Sequence, residues 1–300
     1  MRNNPLWFCA LLAVYPVTSS GFSPIIAESN SGQRVTIHHV ARSIQPGEIV
    51  RLIVESERPL MKVQAEFEGQ AFVGYPTKIS RRWDILVGLD LMVQPSARKL
   101  SVEGAYKDGS IFKTFYELDI KGKQFPTRRL TVAAKFVNPP KGALKKIRED
   151  SQRTGRIFES VTPTRFWSGP FKSPVPGATT SGFGKRSILN GVSRSPHSGA
   201  DFRATTGTPI KSPNSGKVAL VGYLYYSGNT VILDHGHGMI SYFAHLSKTH
   251  VKVGQVVYTG QVLGEVGATG RVTGPHLHWS VRLMRTRVDP LALIEILREE

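Results

Sequence analysis

Residues 228–247 read Gly-Asn-Thr-Val-Ile-Leu-Asp-His-Gly-His-Gly-Met-Ile-Ser-Tyr-Phe-Ala-His-Leu-Ser. β-Branched and aromatic residues run on both sides of Gly236-His237-Gly238, a combination that favours two strands folded back on one another at a glycine turn. The same grammar continues outward. Val218-Leu220-Val221 precedes the stretch, and Val262-Leu263 and Leu277 to Val281 follow it, with turns at Gly228-Asn229, Gly254, Gly260 and Gly264. Many short strands meeting at glycines predict a compact antiparallel β-unit over residues 175–300. Asp289 to Leu297 closes it with a turn or two of helix.

Upstream, period-2 apolar bursts recur at Val35-Ile37, Ile49-Val50-Leu52-Val54, Val63-Ala65-Phe67, Ala71-Val73, Ile85-Val87-Leu89-Leu91 and Leu100-Val102, then at Phe112, Phe115 and Leu118. Turn-forming residues such as Gln45-Pro46-Gly47 and Lys107-Asp108-Gly109 separate them. This spacing predicts an immunoglobulin-like β-sandwich over residues 28–130, making the chain mainly β. Residues 131–174 read as a basic linker, with nine Lys/Arg against Glu149, Asp150 and Glu159. Within it, Leu144, Ile147, Ser151, Thr154 and Phe158 are spaced for a short amphipathic helix.

The N-terminus carries a different signal. Met1-Arg2-Asn3-Asn4 is a positive head, Pro5 to Thr18 is apolar, and Ser19-Ser20-Gly21 is small. The apolar stretch is shorter than the roughly 20 residues that span a bilayer as a helix. It reads as a secretory signal over residues 1–27, with an uncleaved anchor as the alternative. The expectation is an exported protein, periplasmic or extracellular, with no stable membrane span after cleavage. Cys9 is the only cysteine, which excludes a disulfide framework and any CxxC metal or redox motif.

Length and composition bound the rest. Three hundred residues give room for two domains, and 40% hydrophobic with 9% aromatic content excludes wholesale disorder. A formal net charge of +17 attracts polyanions without choosing among them. No RNP-type aromatic motif, zinc finger or helix-turn-helix pattern is present, so nucleic acid is not the expected partner. An acidic cell-wall polymer fits an exported protein better.

Seven of the nine histidines follow residue 196, and histidine clusters more readily for chemistry than for packing. In His197-Ser198-Gly199-Ala200-Asp201, an imidazole and a carboxylate four residues apart can converge on one ion, a donor set that suits Zn²⁺. The pattern alone fits a surface loop equally. In Gly274-Pro275-His276-Leu277-His278-Trp279, two histidines at period 2 share a strand face. One can ligate a metal while the other reaches over a substrate; exposed sheet histidines are the plain alternative. His245 ends an apolar strand, where it can emerge into a cleft or serve packing. His235 and His237 sit in a glycine turn and read as structural, with His237 exposed. His250 reads as solvated. His38 and His39 are strand neighbours facing opposite ways.

The order H-x₃-D, H-L-S, G-P-H-L-H resembles the LytM/lysostaphin-type zinc endopeptidases, which cleave peptide bonds in bacterial peptidoglycan. The resemblance extends over about 110 residues: Ser181 to Arg186, Gly207-Thr208-Pro209-Ile210, Gly228 to Gly236, Val253 to Gly264 and Val288-Asp289-Pro290. The upstream β-module and Phe125-Pro126 to Phe136-Val137 resemble, more loosely, the accessory region of Gram-negative exported members. The resemblance implies His197, Asp201 and His278 as ligands of one zinc per chain, and His245 and His276 as the non-ligand catalytic histidines. Three protein ligands leave a fourth position for water, while a histidine takes a proton and another stabilises the oxyanion or protonates the leaving amine. It does not divide those roles between His245 and His276. All five positions are filled, unlike members that have lost ligands and act as activators. Arg186 and Asn190, upstream of His197, are expected to line the substrate groove, and peptidoglycan is the expected partner.

Overall fold

The computed structural model describes residues 24–131 and 139–298. The signal segment expected over 1–27 lies outside them except for its last four residues, and Ile25 already opens the first strand.

Two antiparallel sheets occupy the first part of the chain. One runs, in spatial order, Ile25–Glu28, Arg34–Ala41, Ile49–Ser56, Arg82–Gly88 and Tyr75–Pro76. The other runs Gln70–Val73, Leu60–Phe67, Ser96–Tyr106 and Ile111–Ile120. Alternation decides which residues enter their shared core: Val35, Ile37, Leu52, Val54, Val63, Ala65, Leu100 and Val102 are buried there. One expected stripe is reversed, and in a second, where Phe112 and Leu118 are buried, a single residue faces out. Phe72, not Ala71 and Val73, points inward opposite Ala65, and Tyr116 points inward opposite Leu100 while Phe115 is 60% exposed. A one-residue slip exchanges the two faces of a strand, and at Gln70–Val73 the large ring, which removes more apolar area from water than Ala71 would, takes the inner face.

From residue 139 the basic segment is fastened along its length. Helix α1 is Leu144–Glu159, the stretch over which Leu144 to Phe158 carry the helical spacing. Its Ile157 and Phe158 pack on Leu220, Ile232 and Ile240 of the downstream sheet. Asp150 accepts the Tyr225 N–H at 2.7 Å, and the Arg282 guanidinium lies 4.2 Å over the Phe158 ring. Beyond the helix, the Phe166 N–H donates to the His235 carbonyl, and the His237 N–H to that of Thr162. The Asn214 side-chain amide reaches the carbonyls of Ser168, Gly169 and Pro170. Gly236 is required at this crossing, because a Cβ there would lie 1.8 Å from the Thr164 carbonyl oxygen.

The downstream sheet is antiparallel, as expected. Its order is Thr179–Ser181, Ala200–Phe202, Leu277–Leu283, Met239–Thr249, Gly228–Gly236, Gly216–Leu224 and Val256–Val257. Val262–Val266 joins Met239–Thr249 to Pro209–Lys211. Helix α2, Pro290–Ile296, has Pro at its first position, and Asp289 caps it by accepting the Leu291 N–H at 3.0 Å. A small third sheet, Thr127–Leu130, Arg186–Leu189 and Val192–Ser193, flanks this one, and its first pairing is parallel.

The two β-regions meet over a polar and apolar seam. Arg42 bridges Asp289 at 2.7 Å and the fully buried Glu48 at 2.9 Å, while Arg287 holds Asp90 at 2.5 Å. Burial by itself would raise the Asp90 carboxyl. The hydrogen bonds from Arg287 and the amides of Arg287 and Met92 instead bring it below the usual carboxylate value. Tyr75 stacks edge-on to Trp167 across the same seam.

Candidate active site

Strand register assembles the site. Asp201 stands directly opposite His278, whose neighbour on the other side is Ala244. Directly opposed residues share a face, so the carboxylate and the imidazole project together. His276, two residues earlier, projects to the same side, while Leu277 and Trp279 are fully buried on the other. Gly199 lets the preceding loop press onto this strand. A Cβ there would lie 2.5 Å from the Trp279 carbonyl oxygen and 2.8 Å from the His278 ring. That close approach brings His197 back over Asp201.

Three donor atoms then converge. His197 Nε2 lies 3.0 Å from Asp201 Oδ1 and 3.0 Å from His278 Nδ1, and His278 Nδ1 lies 2.9 Å from Asp201 Oδ1. Tetrahedral zinc with bonds of about 2.0–2.1 Å separates its ligand atoms by about 3.3 Å, so a small outward adjustment accommodates the ion. The tautomer fits as well. His197 Nδ1–H donates to the Gly182 carbonyl at 3.0 Å, which leaves Nε2 as a bare donor atom. Burial opposes the charge on Asp201, but the His197 and His278 imidazoles beside it hold its carboxyl far below the usual range. Burial pushes the His278 imidazole down, toward its neutral, ligating form.

His245 reaches the site by an irregularity. The register of Met239–Thr249 against Gly228–Gly236 shifts between Phe243 and Leu246, and His245 within the shift has φ 68°. Such a conformation costs a non-glycine residue on the order of 1–3 kcal/mol, and it turns the ring out of the strand's alternation. The backbone N–H donates to the Ser227 carbonyl at 2.8 Å, and Nδ1–H donates to that of Thr269 at 2.9 Å. Nε2 is thereby left unprotonated. Burial, with the nearby His278 and His276, pushes this imidazole down to about 4. The His245 ring centroid is 4.9 Å from that of His276 and 6.1 Å from that of His278. His276 is oriented likewise: Nδ1–H donates to the Gly274 carbonyl at 2.9 Å, and Nε2 lies 3.9 Å from Asp201 Oδ1.

The remaining histidines lie elsewhere. His235 is fully buried; Nδ1–H donates to the Ser215 carbonyl at 2.7 Å, and Nε2 accepts from the Ser241 hydroxyl at 2.9 Å. Burial pushes it down to about 4, so it is a neutral packing group. His237 departs from expectation. It is half-buried rather than exposed, in a hollow lined by Phe72, Tyr75, Trp167, Met239 and Leu283, because the residue 162–167 crossing covers its turn. That hollow sits by the far end of the strand from His278, roughly 16 Å along the backbone. His250 is exposed beside Glu265, and His39 is buried against Tyr116 while His38 faces out. His235→Ala is expected to lower the melting temperature, by about 3 kcal/mol of lost packing and unpaired Ser241 and Ser215 groups, with metal content retained in the folded fraction. His237→Ala is expected to change neither metal content nor rate. Calorimetry with metal analysis checks both.

Arg186 lies exposed on the Arg186–Leu189 strand. Asn190 (φ 50°) and Gly191 (φ 81°) form the two-residue turn of the hairpin to Val192–Ser193, which is a local reason for this Asn-Gly pair. Two further residues bear on the site. Tyr242, on the same strand face as Ala244, sets its ring edge-on to His278 at 6.4 Å, a placement that period-2 alternation could have given. Thr269 fixes the His245 tautomer through its carbonyl while its hydroxyl ties Asn229 to Leu246, and nothing in the local sequence marks it.

Comparison with known proteins agrees with this geometry. Residues 195–290 match the model for Peptidase family M23. Peptidoglycan DD-endopeptidase ShyB of Vibrio cholerae is 42% identical over 96 residues, 32% of this chain and 22% of that protein. Peptidoglycan DD-endopeptidase ShyC of the same organism is 30% identical over 200 residues, 66% of this chain and 42% of that protein. The chain thus spans well under half the length of these relatives. A crystal structure of a peptidase M23 from Pseudomonas aeruginosa superposes with a TM-score of 0.66 at 34% identity, covering 84% of this chain and 95% of that one. With that likeness running through nearly the whole of a solved relative, and with His197, Asp201 and His278 inside the matched region, the chain belongs to peptidase family M23.

Proposed function

We propose that the protein is an exported zinc metalloendopeptidase that hydrolyses peptide bonds in peptidoglycan. The observation that carries the reading is the triangle of His197 Nε2, Asp201 Oδ1 and His278 Nδ1, with sides of 2.9–3.0 Å, beside two histidines oriented by backbone carbonyls. These three residues would hold the metal. Bound there, zinc supplies Lewis acidity toward a peptide carbonyl and lowers the pKa of water to about 7.

The chain's own groups supply the rest. Asp201 offsets the positive charge at the site. His245 Nε2, neutral at pH 7 and facing His276, is placed to accept a proton. His276 Nε2, on the same face, is placed to hydrogen-bond an oxyanion or return a proton to the leaving amine, and the two roles are interchangeable on this geometry. The Ser19-Ser20-Gly21 signal and the relatives named as peptidoglycan endopeptidases support an envelope location. Among the described residues no helix is long and apolar enough to cross a membrane. Mass spectrometry of muropeptides released from purified cell walls tests the reading. Cross-linked species are expected to decline in favour of monomers, and an unchanged profile with zinc-loaded protein would overturn it.

A further inference from the structure

Residues 182–185 hold His197 at three points. The Gly182 carbonyl accepts from its Nδ1–H at 3.0 Å, the Gly184 N–H donates to its carbonyl at 2.7 Å, and its own N–H donates to the Lys185 carbonyl at 3.0 Å. For a metal the first of these matters most. His197 Nε2 lies 3.0 Å from Asp201 Oδ1, so without the Gly182 carbonyl the ring proton is drawn to Nε2, where it finds a carboxylate acceptor. An imidazole nitrogen that carries a proton has no lone pair to offer an ion. The place of the Gly182 carbonyl therefore sets the binding competence of His197.

Gly182 is exposed, and a Cβ on it would meet nothing within 4 Å, so its neighbours fix it. Ser181, paired opposite Asp201, anchors one side. Phe183 anchors the other. It is buried, and among the described residues it lies outside the continuous apolar core. Its seat belongs to the upstream β-region: a Cβ on Gly47 would stand 2.3 Å from the Phe183 ring. Gly47 is pinned in turn, its N–H donating to the Leu89 carbonyl at 2.8 Å and its carbonyl accepting the Asp289 N–H at 2.7 Å. Phe125 meets the Phe183 ring edge-on at 6.4 Å between centroids, and it fills the space a side chain on Gly184 would need.

We propose that Phe183 is a positioning residue of the metal site: seated on Gly47, it holds the Gly182 carbonyl against His197 Nδ1 and so keeps Nε2 free for the ion. The proposal rests on the reading of His197, Asp201 and His278 as zinc ligands. All three ligands come from the downstream β-region, yet the seat of the brace comes from the upstream one. Zinc affinity is then a property of both regions together. The upstream region serves the site through an apolar contact, without reaching the metal or the substrate.

The test uses the full chain and two readouts. Zinc affinity is measured by chelator competition, and the His197 tautomer is read by heteronuclear NMR of the metal-free protein at about pH 9, above the usual imidazole range. Phe183→Ala is expected to weaken zinc binding about tenfold, as loss of an outer-shell partner does, and to move His197 from Nδ1–H toward Nε2–H. Phe183→Leu keeps apolar bulk on Gly47 and should restore most of both. Gly47→Ala pushes the ring away and should weaken zinc likewise, while adding it to Phe183→Ala should cost nothing more. Phe112→Ala removes the same ring from the upstream core, where Phe112 is 1% exposed, and should lower the melting temperature with zinc affinity unchanged. Parent-like affinity and tautomer in Phe183→Ala overturn the brace, and an equal loss of affinity in Phe112→Ala assigns the effect to stability and overturns it too. Weaker zinc binding with the tautomer unchanged overturns the route through Gly182. A parent that binds no zinc, with a tautomer that still responds to Phe183→Ala, sustains the brace and removes the metal reading.

Discussion

His245→Ala and His276→Ala should each lower turnover by roughly 10²–10⁴-fold while leaving zinc content near that of the parent, the usual contribution of a positioned proton-transfer group. Neither ring belongs to the donor triangle, and the nearer, His276, keeps its Nε2 3.9 Å from Asp201 Oδ1. His245 is buried, and its ring donates to the Thr269 carbonyl, so alanine leaves that acceptor and a small void without breaking the strand. The residue 245 N–H bond to the Ser227 carbonyl is made by the backbone, so the bulge is expected to remain in the alanine variant. Metal analysis beside steady-state kinetics checks the pair. Loss of zinc in His276→Ala would reassign it as a ligand, and undiminished turnover in His245→Ala would remove it from the chemistry.

Asp201→Ala should cost at least about 10²-fold in zinc affinity, beyond what removal of an outer-shell partner costs, and activity should go with it. The carboxylate sits between two imidazoles at 2.9–3.0 Å, and both ring nitrogens face it. Without it the remaining set is two neutral nitrogens, which neither complete the triangle nor offset the ion's charge. Asp201→Asn separates shape from charge: it keeps an oxygen near the same place, so retention should be intermediate. Competition with a chromogenic chelator measures both. Affinity unchanged in Asp201→Ala would place the metal elsewhere.

Local pattern carried much of the architecture. Alternation around the Gly236-His237-Gly238 turn gives the Gly228–Gly236 and Met239–Thr249 pair, and period 2 puts His276 and His278 on one face with Leu277 opposite. Where alternation is ambiguous, as at Ala71-Phe72-Val73, the sequence offers two faces, and only packing against Ala65 decides between them. The basic segment looked like a linker because charge and proline dominate it. Its attachment is made by backbone carbonyls and by Asn214, groups that carry no residue-specific signature.

The sequence by itself determined a mainly β chain and the residue types from which a His-Asp-His donor set could be drawn, because side-chain period and ligand chemistry are local properties. Tertiary structure decided which of those residues meet. Asp201 and His278 are 77 positions apart and converge only through strand register, and His197 joins them only because Gly199 allows the loop to press against Trp279. His245 shares the cleft through a bulge and a carbonyl 24 residues away, and Arg128 meets Ser187 through a parallel pairing with a strand 59 residues downstream. Such long-range pairings are selected by burial of the whole core, a free energy summed over many residues, and no short window of sequence contains it.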